Sequence, residues 1–82
     1  MYQLPDRPKE RNLDFLTGYH YRLKYLYNYE NLWDDQKPRS HAENFIDFFK
    51  DVLPNMKDDE AEYHKILGEL WACHDYLEGD EE

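Results

Sequence analysis

Apolar positions recur at three- and four-residue intervals over two stretches of the chain. Ala42, Phe45, Ile46, Phe49 and Leu53 form one stripe, and Tyr63, Leu67, Leu70, Trp71, His74 and Leu77 form another. Such spacing predicts two amphipathic helices. The first opens at Ser40-His41-Ala42-Glu43, which has capping-box spacing, and stops at Pro54. The second is capped by Asp58 or Asp59 and reaches Gly79, placed where a helix C′ residue belongs.

Upstream the pattern supports two readings. From Tyr19 to Glu30, tyrosines and leucines alternate with polar residues, as in a strand. Nothing later in the chain alternates in the same way, so such a strand would need Tyr2-Gln3-Leu4 or a second chain as its partner. Wound as a helix from an Asn12 cap to about Trp33, the segment has an apolar stripe of Leu16, Tyr19, Leu23, Leu26 and Tyr27. Tyr21, Tyr25 and Tyr29 then form a second row. The helix is the preferred reading. Residues 1–11, with Pro5 and Pro8, read as an extended arm, residues 34–39 as a loop, and residues 80–82 as an acidic tail. The expected fold class is therefore all-α, a small bundle of three main helices over residues 12–79. Phe45, Phe49, Leu67, Leu70 and Trp71 are its expected central core.

Charge adds a functional lead. The 82 residues carry a formal charge of −9, and 14 of them are aromatic. Residues 1–40 hold seven basic and six acidic side chains, whereas residues 41–82 hold three and thirteen. Negative charge argues against direct binding to nucleic acid or to an anionic membrane. No apolar run approaches the roughly 20 residues of a membrane span, and no secretory leader is read at the start. One cysteine allows no internal disulfide and fits a reducing, cytoplasmic setting.

Candidate chemistry is sparse. Glu60/His64 and His74/Glu78 are four-residue pairs, but a zinc site needs three or four convergent ligands. Cys73 and His74 diverge by about 100° on a helix, too far for thiol activation. Gly18, Gly68 and Gly79 are isolated, so no phosphate loop is read. The expectation is no enzyme, no metal and no cofactor.

The acidic residues show more. Glu43, Asp47 and Asp51 stand four apart on the second helix, opposite the Phe45/Phe49 stripe. Like charges at that spacing cost a few tenths of a kcal/mol per pair, and Lys50 relieves only part of it. A row kept at a cost suits a basic partner, although Glu43 also serves the capping box and acidity alone aids solubility. Tyr21, Tyr25 and Tyr29 are the second lead, since tyrosine suits interfaces. A third helix or the arm covering the rings is the competing reading.

Two likenesses bear on function. The stretch Glu62-Tyr63-His64-Lys65-Ile66, with Leu70 and Asp75-Tyr76-Leu77, resembles the C-terminal part of the YozE family of small proteins. That resemblance implies an all-helical, sterile-alpha-motif-like fold. In size and charge the chain is similar to small phage- or plasmid-encoded inhibitors, including anti-CRISPR and DNA-mimic proteins. The expected function is an inhibitor that occupies a basic, nucleic-acid-binding surface of another protein. A housekeeping helical interaction module is the alternative, and a homodimer stays open.

Overall fold

The computed structural model describes residues 4–32 and 38–79, and the side chains of residues 29–32 and 38 lie outside that description. Helix α1 spans Leu13–Leu32, α2 spans Pro38–Val52 and α3 spans Glu60–Gly79, with a 3-10 turn at Leu53–Met56 joining α2 to α3. Among the described residues there is no strand, so the tyrosine-rich segment is helical and the fold is all-α. The tail at 80–82 lies outside the described residues.

Local chemistry sets most boundaries. Asn12 caps α1: its Oδ1 accepts from Phe15 N at 2.9 Å and its carbonyl from Leu16 N at 3.0 Å. Asp59, not Asp58, caps α3, accepting from Glu62 N at 3.2 Å through Oδ1 and from Tyr63 N at 2.8 Å through its carbonyl. Two expected signals are corrected. Helix α2 opens at Pro38, so Ser40 lies inside its first turn instead of capping it. Proline is well suited to that first position, because its missing N–H has no intrahelical partner there. Gly79 is the last residue of α3 and does not take the left-handed cap conformation, since no described glycine has a positive φ. The C-terminal end of α3 is met by Arg39, which donates from Nη1 to the Leu77 carbonyl at 3.1 Å. A cation there also opposes the negative end of the helix dipole.

Helices α1 and α3 pack together through two glycines. A Cβ placed on Gly18 would collide with the backbone of Lys65, and one on Gly68 with the Phe15 carbonyl and the Tyr19 amide. Each helix therefore presses its backbone into a notch in the other. Gly18 and Gly68, read as isolated in the sequence, are a matched pair. Around this crossing α3 is buried on nearly every side from Ile66 to Leu70 and again at Ala72 and Cys73, Glu69 included.

Leu26, Leu53, Leu70 and Cys73 are the largest fully buried side chains, joined by Phe15, Ala42, Ile46, Leu67, Tyr76 and Leu77. The expected core is thus right for Leu67 and Leu70 but not for Phe45, Phe49 and Trp71, which pack on its flank. Tyr27, expected on the apolar stripe of α1, is exposed. The arm is laid against α3: Leu4 is buried, and Trp71 Nε1 donates to the Pro5 carbonyl at 3.0 Å.

Candidate binding surface on α1 and α2

Helix α2 buries Ala42 and Ile46, and this orientation sends the residues on its far side into solvent. Glu43, Asp47 and Asp51 are all exposed there, as a row along the helix. Asp47 has a side chain 72% exposed and pairs with Lys50 at 2.6 Å. Such an open pair adds little stability. On α1, Tyr21 is 57% and Tyr25 38% exposed, so these two rings of the row stay open to solvent. Tyr29 belongs to α1, but its side chain lies outside the described residues.

Arg22 joins the two helices. Its Nε and Nη2 both donate to Oε1 of Glu69 on α3, at 3.1 and 2.8 Å, and the two side chains are only 14% and 6% exposed. The guanidinium also lies over the rings of Phe45 (4.4 Å), Tyr25 (5.0 Å) and Tyr21 (5.5 Å). Cation–π contacts of this kind gain strength as water is excluded. Arg22 Nη1 stands 3.3 Å from His41 Nε2. Arginine has only donors, so Nε2 accepts and the imidazole proton belongs on Nδ1. Burial, and then the Arg22 charge, hold the His41 pKa below its ordinary value. Tyr25 stacks beside that imidazole, with ring centroids 5.2 Å apart.

The aromatic surface continues along α2. Phe45 packs on Phe49 (4.6 Å) and Phe49 on Phe48 (4.8 Å, edge-on). Phe48 is 65% exposed. The tyrosine row and the acidic row therefore lie on adjoining helices, with this string of rings running from one toward the other.

A second polar cluster lies at the arm. Asp75 Oδ2 accepts from Tyr19 Oη and from Arg7 Nη2, both at 2.6 Å, and the Arg7 guanidinium lies over Trp71 at 4.5 Å. Burial pushes the Asp75 carboxyl up, but the hydrogen bonds from Tyr19 and Arg7 outweigh it and hold the pKa below the usual carboxylate range. Burial first, then the bond to Asp75, raises the Tyr19 phenol to about 12. The cluster fastens the arm to α1 and α3. Beside it a shallow cleft of about 220 Å³ opens between the arm and the start of α1, with Arg7, Lys9 and Arg11 at its edge. It brings together none of the candidate binding residues read from the sequence.

Cys73 is fully buried, and burial pushes its thiol up to about 12, so it packs as a small neutral side chain. Among the described residues, no three His, Cys, Asp or Glu side chains converge on a metal-sized site. No buried side-chain nitrogen or oxygen there lacks a partner. No helix among them is long and apolar enough to cross a membrane.

Sequence reasoning missed Arg22, Glu69 and Phe48. Glu69 interrupts the apolar pattern of α3, and its partner is 47 residues away. Phe48 carried a signal, since it stands off the Phe45/Phe49 stripe. Set against protein-family models, curated proteins and solved structures, the chain matches none of them.

Proposed function

We propose that this chain is a small protein-binding inhibitor that lays α1 and α2 on a basic, nucleic-acid-binding surface of another protein, as phage- or plasmid-encoded anti-CRISPR and DNA-mimic proteins do. The observation that carries the reading is the exposed row Glu43, Asp47 and Asp51 beside the exposed rings of Tyr21 and Tyr25. The carboxylates supply long-range attraction and the rings supply area that can be desolvated. The buried, unpaired Cys73 fits a reducing compartment, so the proposed setting is the cytoplasm.

The test is competition. Proteins retained by the immobilised chain should be released by duplex DNA and should lose nucleic-acid binding when the free chain is added. The variant with Asp47→Lys and Asp51→Lys should do neither, while keeping its circular dichroism. Retention that ignores both DNA and the charge reversal refutes the reading. The alternative is a housekeeping module of the YozE type, and the all-helical fold agrees with it. That reading expects self-association or partner binding that persists at high salt.

A further inference from the structure

On α2, turning at about 100° per residue, Phe48 lies about 60° from Phe45 on one side and about 60° from Asp51 on the other. It therefore stands at the seam between the rings that lead to α1 and the acidic row. Phe49 supports it edge-on, and Phe49 in turn rests on Phe45, over which the half-buried Arg22 guanidinium lies. The anchor is held from below and open above. A ring held this way surrenders little side-chain freedom on docking.

We infer that Phe48 is the apolar anchor of the binding surface, and that its occupant is a protein surface with an apolar pocket rimmed by Lys or Arg. The inference rests on the function proposed above and adds the contact that confers specificity beyond charge. Charge selects the occupant. A second copy of this chain, docked Phe48 to Phe48, would bring a second Glu43–Asp47–Asp51 row and a second formal charge of −9 to the same contact, where like charges repel. An anionic membrane would meet the same repulsion. A basic rim meets the row as its complement.

Two probes separate the anchor from the charge, using the intact chain. One is a synthetic amphipathic helical peptide with Leu and Trp along one face and Lys and Arg on its flanks. The other is an oligolysine of equal charge. Calorimetry should show the amphipathic peptide binding at least about tenfold more tightly than oligolysine. Phe48→Ser should remove that advantage with an unchanged melting temperature, and Phe48→Tyr, which keeps the ring, should retain it. Equal binding of both probes, or binding that Phe48→Ser does not weaken, overturns the anchor and leaves the charge-based function standing. Binding of neither probe overturns both. Sedimentation that shows a dimer lost in Phe48→Ser, or Phe48-dependent binding to anionic phospholipid vesicles, overturns the assignment of a basic partner.

Discussion

Arg22 donates twice to one oxygen of Glu69 while its guanidinium lies over Phe45, so removing either side chain leaves the other's largely desolvated charge without its counter-charge. Glu69→Gln should cost about 3 kcal/mol in urea unfolding, whereas Arg22→Met combined with Glu69→Leu should recover most of that loss. His41 adds a pH dependence. Its folded pKa lies below the unfolded value of about 6.5, so folding disfavours its proton. Its contribution is fully present above pH 6.5 and is lost as the pH falls from there through the folded pKa. His41→Gln should flatten that part of the stability profile, measured by chemical denaturation at a series of pH values. Tyr19 acts at the other end. With a folded pKa of about 12 against about 10 unfolded, its contribution holds below pH 10 and fades as the pH rises toward 12. Tyr19→Phe should remove this alkaline loss. None of these contacts was legible in the sequence, because each joins side chains from different helices whose approach no local pattern encodes.

At the scale of elements, legibility followed locality. The caps at Asn12 and Asp59 were readable because donor and acceptor lie three or four residues apart. The stripe of α2 was readable because one face is buried and the other is wet. Helix α3 was harder: it is covered nearly all round, so Gly68 and Glu69 interrupt a pattern that has no polar side. The glycine crossing was unreadable, since each glycine has meaning only once the other helix is present. Gly68→Ala should therefore destabilise by about 1–3 kcal/mol, despite the roughly 1 kcal/mol that alanine gains within a helix, because a backbone carbonyl cannot rotate away. At roughly 4–8 °C per kcal/mol in a domain this small, calorimetry would register it plainly. Leu70→Ala, at a fully buried position, should cost about 2–5 kcal/mol. Phe49→Ala and Trp71→Ala should cost less, since those rings sit on the flank.

The whole molecule measures 38 × 24 × 22 Å, little longer than the roughly 30 Å of a 20-residue helix. It has room for one core, and α1 and α3 supply most of it. That leaves the outer side of α2 and the tyrosine side of α1 as surface. Charge asymmetry along the chain becomes asymmetry in space only in part: Asp75 and Glu69 from the acidic half are consumed by Arg7 and Arg22 from the other. The carboxylates of α2 face solvent. Association with a partner should slow as salt is raised, and in stopped-flow measurements the Asp47→Lys, Asp51→Lys variant should lose that dependence along with its rate.

Gly18 and Gly68 also bear on how the chain finds this arrangement. They are fifty residues apart, and the whole of α2 lies between them. The central contact therefore closes a long loop before it returns any burial, so refolding should be slower than in a helical protein built on local contacts. Helix α2, which packs on the pair from outside, is free to condense afterwards. Substitutions at the crossing should slow refolding in proportion to the stability they remove, while Ile46→Val should chiefly speed unfolding. The face that carries the acidic row would then be the last to set and the first to loosen.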